Sequence, residues 1–447
     1  MRKWLWALYG LVLYLFAANI IFIDAAADIA LWEKVFMTFA SGMLFLVYQF
    51  IPYWKRGMGV RLNTLMGGYE LMMTVCAGVT IQSAILIQRL FAGLETGNEI
   101  AFYVASVILA LAAGFFMAVN GFVRIMFLAR QIKLIWRILW GICWWIPGIN
   151  LMVSLYICHL VSGEYKIESA KRELDEVRKE SEICATKYPV LLVHGVFFRD
   201  WQYFNYWGRI PAALQKNGCQ VYYGRHQSAA AVKDSAAELL EQIHHVIEET
   251  GCEKVNIIAH SKGGLDTRYA IDCLGAAPLV ASLTTINTPH QGCLWVDNLL
   301  KKIPDGLVAF VAEKYNALYR RLGDVNPDFI AAVNDLTAKS CKRRQEEVME
   351  ADGYVKQSVM SLMKSSLSAS FPLNLGFLLV KPVEGRNDGL VAENSAVWGK
   401  FLGVLTCKGR RGISHGDMID LFRENIKGFD VREYYVMLVK GLKDMGL

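Results

Sequence analysis

Ser261 lies in the stretch IIAHSKGG, residues 257–264, where a short apolar run meets a serine with Ala259 two residues before it and Gly263 two after. A serine hydroxyl is a poor nucleophile until a neighbouring base takes its proton. A lone A-x-S-x-G pattern arises by chance, so its setting decides what it means. Here a strand is expected to run into Ser261 and a helix to begin directly after it. Small residues at those two positions let strand and helix approach, and the serine Oγ then projects from a tight, strained turn. The usual pattern has Gly where this chain has Ala259, a difference of one methyl group.

Nucleophilic chemistry at Ser261 needs three further groups. Positioned N–H donors must meet the charge of a tetrahedral intermediate. His194 and Gly195 end the expected first strand, YPVLLVHG, which places the backbone N–H of Val196 as one donor; the N–H of Lys262 is the other. A general base must come from further along the chain. Of the eight histidines, only His415, in the loop GISHGDMID, follows the last expected strand. An acid must hold that imidazole in the right tautomer. Asp388, in EGRNDGLV, is expected at a strand-end turn after the apolar run LGFLLVKPV. Taken singly, each of these reads as an ordinary turn or surface residue. Together they stand in the order Ser, Asp, His that such a fold uses.

The elements that must position these residues start at Tyr188. The runs YPVLLVHG, CQVYYGR, EKVNIIAHS and LVASLTTINTP read as strands. Between them RIPAALQKNG, DSAAELLEQIHHVIEETG and KGGLDTRYAIDCL read as helices. Continuous apolar strands alternating with helices predict a doubly wound, mostly parallel sheet covered on both faces.

Before residue 162 the chain is of another kind. Five apolar runs, Leu5–Ile23, Val35–Trp54, Leu65–Ile87, Ile100–Val119 and Ile138–Val161, each approach the ~20 residues needed to span a bilayer. The first, between Arg2–Lys3 and DAAADIA, could pass for a signal peptide, but with more spans behind it an uncleaved helix is expected. Arg2, Lys3 and the basic loops 55–61 and 124–133 mark the cytoplasmic side. Five spans then put the C-terminal domain outside; Pro147 and Gly148 could instead make the fifth run re-entrant and turn that domain inward. Glu70 and Gln82 fall inside the third run, where polar residues can mark a transport path. Residue Glu70 is expected at the interface instead. The expected organisation is a membrane region at 1–161, a charged helical connector at 162–187 and the catalytic domain at 188–447.

Composition agrees with two regions: 54% hydrophobic residues are too many for one soluble domain, and 20% charged residues too many for a membrane protein alone. A formal net charge of +6 invites a nucleic-acid partner, but loop charges between apolar runs explain it better, and none is expected. Ten cysteines form no CxxC pair and no metal-ligand cluster. Cys76, Cys143 and Cys158 lie in apolar runs; the other seven are an odd number, which leans toward a reducing compartment.

The stretch from Tyr188 to Gly292, with NDGLV and SHGDMID further on, resembles the bacterial family I triacylglycerol lipases of the α/β-hydrolase superfamily. The resemblance implies Ser261 as nucleophile, Asp388 as acid, His415 as base, and Val196 and Lys262 as oxyanion donors. Many such lipases bind a structural calcium, and Asp417 matches one ligand position. The region before Asp388 offers no acidic partner, so neither a metal nor another cofactor is expected. Lys262 puts a cation beside the nucleophile, which would favour anionic substrates unless its side chain faces solvent. Residues 293–375 are expected to form a lid or cap, either gating or packed. The expected activity is a membrane-anchored carboxylic ester hydrolase acting on lipid esters beside the bilayer. An acyltransferase, a thioesterase or a non-catalytic lipid-binding scaffold would be the alternatives.

Overall fold

The computed structural model describes residues 3–51, 54–93, 97–196, 206–227, 229–321 and 323–447. The chain forms two compact units, Met1–Glu176 and Val177–Leu447.

The first unit is helical: α1 (Lys3–Ala26), α2 (Leu31–Phe50), α3 (Gly59–Ala92), α4 (Gly97–Leu128), α5 (Leu134–Ile142) and α6 (Pro147–Arg178). Among the described residues, four helices, α1 to α4, are long and apolar enough to cross a membrane. Small residues let α3 and α4 touch. A Cβ on Gly121 would lie 3.0 Å from the carbonyl oxygen of Gly68, and one on Gly68 would lie 3.1 Å from that of Gly121. Gln82 is part of this packing. It accepts from Asn19 Nδ2 (2.6 Å) and donates to Ser106 Oγ (3.2 Å), joining α1, α3 and α4. Glu70 is buried within the helical unit.

The fifth apolar run is not one span. It breaks between α5 and α6, where a single 3-10 turn (Cys143–Trp145) precedes Pro147, a residue that cannot continue a helix through its own N–H. Trp140 Nε1 donates to Ser154 Oγ (2.8 Å) and Trp136 packs on Tyr156, so α5 and α6 run back along each other. Beyond the apolar part of α6, Glu164 accepts from Arg61 Nη1 (2.6 Å) and from the N–H groups of Arg130 (2.9 Å) and Gln131 (3.1 Å). Lys55 pairs with Glu173 at 2.6 Å. The chain therefore returns to the basic loops it left, and the odd number of spans behind the expected extracytoplasmic placement is not formed among the described residues. The expected connector, 162–187, is helical to Arg178 as the continuation of α6.

The second unit is built on six parallel strands: β1 (Val190–Val193), β2 (Val221–Tyr223), β3 (Val255–His260), β4 (Val280–Ile286), β5 (Val355–Ser361) and β6 (Lys400–Leu405), in the order β2-β1-β3-β4-β5-β6. Successive side chains of a strand point to opposite faces. Val190, Leu192 and Ile258 meet α7 (Ile210–Lys216) and α15 (Val431–Asp444) on one face. Leu191, Val193, Ile257 and Ala259 meet α8 (Val232–Thr250) and α9 (Lys262–Cys273) on the other. Burial on both faces is why these strands read as unbroken apolar runs.

Two expectations about the segment after β4 need correction. The helices α10 (Leu294–Leu300), α11 (Asp305–Arg321), α12 (Phe329–Asn334) and α13 (Ala338–Glu347) form the insertion. The remainder of the expected lid, to residue 375, contains the sheet strand β5, whose QSVMS is buried. Its Ser and Gln side chains made it look unlike a core strand, yet they are hydrogen-bonded: Ser358 Oγ donates to Trp398 O (2.6 Å). The run LGFLLVKPV is not a strand but most of α14 (Leu373–Glu384).

Gly121→Leu is expected to force α3 and α4 apart, at a cost of about 1–3 kcal/mol for overpacking. Thermal unfolding of the detergent-solubilised protein checks this, and an unchanged midpoint would contradict the close crossing.

Candidate active site

β3 ends at His260, and Ser261 turns the chain into α9 with φ 54° and ψ −130°. A non-glycine residue at positive φ is costly and persists only where its surroundings hold it. They do so here: Ser261 N donates to Ile286 O (2.9 Å), and Ser261 O accepts from Thr288 Oγ1 (2.8 Å) and Gly264 N (3.1 Å). A Cβ on Gly263 would overlap the carbonyl oxygen of His194, so only glycine lets α9 start this close to β1. Ala259 fits because its methyl group is buried with the α8–α9 face of the sheet.

Asp388 is fully buried in the loop after α14. Its Oδ1 accepts from the N–H groups of Leu390 (2.9 Å) and Val391 (2.8 Å), and its Oδ2 lies 2.6 Å from His415 Nδ1. His415 N also donates to Asp388 O (2.8 Å), so the two loops are joined through backbone and side chain. A carboxylate at Nδ1 keeps the proton on that nitrogen and leaves Nε2 able to accept one. The ring of His415 packs on that of His260, with centroids 4.4 Å apart, immediately beside the serine turn. Burial, with the neighbouring His415 second, holds His260 well below the usual imidazole range, so it stays neutral and places no charge against His415. The far end of the His415 loop is anchored by Arg209, whose Nε and Nη2 donate to the two oxygens of Asp420 at 2.7 and 2.8 Å.

Val196 follows β1, half-buried, and residues 197–205 lie outside the described part of the chain. The loop it belongs to presses on Ser261: a Cβ on Gly195 would come within 2.8 Å of Ser261 Cβ. Lys262 is the first residue of α9, so its N–H has no partner in the preceding turn of that helix. The Lys262 side chain faces neither solvent nor substrate. It is 1% exposed and gives Nζ to Asp266 Oδ1 (2.7 Å) and Ser235 Oγ (3.1 Å). Asp417, the residue matched to a calcium ligand, takes Arg411 Nη2 (2.9 Å) and the N–H of Ser414 (2.8 Å). Burial raises its pKa, an effect that Arg411 opposes.

Sequence reasoning passed over Tyr206. Its hydroxyl accepts from Gly195 N (3.0 Å) and lies 2.7 Å from His260 Nδ1, which it can reach as donor. One phenol thus links the β1 loop to the residue before the nucleophile. The only signal in the sequence is a Tyr within the aromatic cluster YFNYW after the HG turn, and that does not separate a hydrogen-bonding tyrosine from a packing one.

Tyr206→Phe should leave a buried N–H and a buried imidazole nitrogen unpaired, costing about 1–3 kcal/mol in stability; a melt matching wild type would contradict the bridge. A second expectation concerns pH. His194, His260 and His290 are all held well below the ordinary imidazole value of about 6.5, chiefly by burial. The unfolded chain binds protons there that the folded chain does not. Stability is therefore full above 6.5 and is lost as pH falls toward the folded values, by up to about 1.4 kcal/mol per pH unit for each histidine. Denaturant melts from neutral pH to about pH 5 measure this, and a flat profile would contradict it.

No family model matches the chain. Part of it is similar to the triacylglycerol lipase of Pseudarthrobacter phenanthrenivorans, 37% identical over 166 residues, covering 34% of this chain and 51% of the relative. It is also similar to the triacylglycerol lipase of Burkholderia plantarii, 37% identical over 166 residues, covering 34% and 46%. The chain thus spans about half the length of the curated relatives it matches. Among solved structures, the Staphylococcus hyicus lipase aligns at 18% identity over 58% of this chain and 97% of that one, with a TM-score of 0.45. The parallel sheet and the strand–serine–helix turn thus lie in the unit whose sequence is in part similar to triacylglycerol lipases.

Proposed function

We propose that this chain is a membrane-anchored serine hydrolase that cleaves carboxylic esters, with lipid esters as the substrate class. The observation that carries this reading is the His415–Asp388 pair, closed at 2.6 Å beside a serine held at positive φ. Nε2 of His415 takes the proton of Ser261 Oγ as that oxygen attacks the ester carbonyl. The N–H groups of Val196 and Lys262 meet the oxyanion, and His415 returns the proton to the departing alcohol. Water activated by the same imidazole then attacks the acyl-enzyme and releases the acid. The substrate class is supported by four helices fit to span a bilayer, which would keep the site near lipid.

We place the hydrolase unit on the cytoplasmic side. Glu164 and Glu173, beyond the apolar part of α6, are tied to the basic loops, and basic loops favour the cytoplasmic face. Ten free cysteines among the described residues are compatible with a reducing compartment.

Hydrolysis of p-nitrophenyl esters over a range of acyl lengths, in detergent, tests the activity. Ser261→Ala should lower kcat by at least about 10⁴-fold, and Asp388→Asn by about 10²–10⁴-fold. Wild-type inactivity on every ester, or an equally active Ser261→Ala, would sink the reading. Fusions at the C-terminus test the side: a fluorescent protein that matures only in the cytoplasm should glow and alkaline phosphatase should stay inactive, and the reverse would place the unit outside.

A further inference from the structure

Lys262, whose N–H is one proposed oxyanion donor, and His194, two residues before the other, both have buried side chains. Lys262 Nζ binds Asp266 Oδ1 at 2.7 Å and Ser235 Oγ at 3.1 Å. Asp266 Oδ2 lies 3.5 Å from His226 Nε2. The His226 ring stacks on His194, with centroids 4.0 Å apart and planes 9° from parallel. The ring nitrogens of His194 lie 2.9 Å from Gly195 O and 3.1 Å from His226 O. All four side chains are buried. A continuous path of contacts therefore runs beneath Ser261, from the start of α9 to the loop that carries Val196.

Stability alone is a poor reason for such a chain. Two charges taken out of water cost about what their attraction returns, and an apolar pair of similar volume often serves as well. Catalysis supplies a better one, because oxyanion donors act only when held in place before charge develops. The elbow bonds to β4 through Ser261 N, Tyr206 joins Gly195 to His260, and the buried side chains add a further link between the Val196 loop and the start of α9.

We propose that Lys262, Asp266, His226 and His194 are positioning residues that hold the two oxyanion-donating segments at a set separation. The inference rests on the hydrolase reading above. It makes the side chain of Lys262 a tether for its own backbone N–H and not a determinant of substrate charge.

The test uses the full chain in detergent and two variants. Lys262→Met with Asp266→Leu replaces the ion pair by apolar groups and leaves no charge unpaired. His226→Gln breaks the stack and also orphans no charge. Three quantities are read: the melting midpoint, kcat and KM on a p-nitrophenyl ester, and the affinity of an alkylboronic acid, whose tetrahedral adduct on serine presents an oxygen to the donors. A folded variant should lose about 10- to 100-fold in kcat, less than deletion of a donor. KM should stay within about twofold, and boronate affinity should fall in step with kcat. A folded variant of either kind with wild-type kcat and boronate affinity overturns the inference, even if its midpoint drops, because that is the result of a purely structural role. An inactive wild type that also ignores the boronate would overturn the hydrolase reading and this inference with it.

Discussion

A methyl group on Gly263 would overlap the carbonyl oxygens of both Val193 and His194. That close approach of α9 to the end of β1 is the constraint on which the second unit depends. It brings the loop of Gly195 against the side chain of Ser261, forces Ser261 into positive φ, and sets the serine at the carboxyl end of the sheet. Everything else at the site serves to hold this junction. Tyr206 bonds across it from Gly195 to His260, Ile286 of β4 and Thr288 just after it fix the serine backbone, and Lys262 and Asp266 form a buried ion pair at the start of α9. Strain of this kind persists only when several independent contacts oppose its relief.

The Asp388–His415 pair is built by a different route. Asp388 sits on the loop after α14 and His415 on the loop after β6, and they are joined twice, Nδ1 to Oδ2 and N–H to carbonyl. The double link fixes the imidazole by its edge as well as by its backbone. The ring of His260, kept neutral by burial, packs against it at a tilt of 56°.

Much of this was readable in the chain, and what escaped has physical causes. The buried strands were plain because parallel strands covered on both faces are apolar throughout, as in VLLV and VNIIAH. β5 was hidden because three of its buried positions carry Gln and Ser, whose polarity is cancelled only by partners such as Trp398 O that lie far off in sequence. The helix α14 was mistaken for a strand because an apolar run of under a dozen residues fits either period. The candidate triad was legible since each member sits beside a glycine-rich turn; Tyr206 was not, because a bridging hydroxyl has no pattern. In the membrane region, length and hydropathy found the long helices but not the fold-back at 143–147, where a short 3-10 turn and a proline outweigh hydrophobicity.

The central claim is that the geometry around Ser261 makes its oxygen a nucleophile. A fluorophosphonate reacts with an activated serine and not with an ordinary hydroxyl, so the most direct measurement is labelling of the folded protein followed by mass spectrometry of its peptides. One adduct on the peptide carrying Ser261, absent after prior heat denaturation, is the result this account predicts. No adduct on the folded protein, or an adduct at another serine, would contradict it.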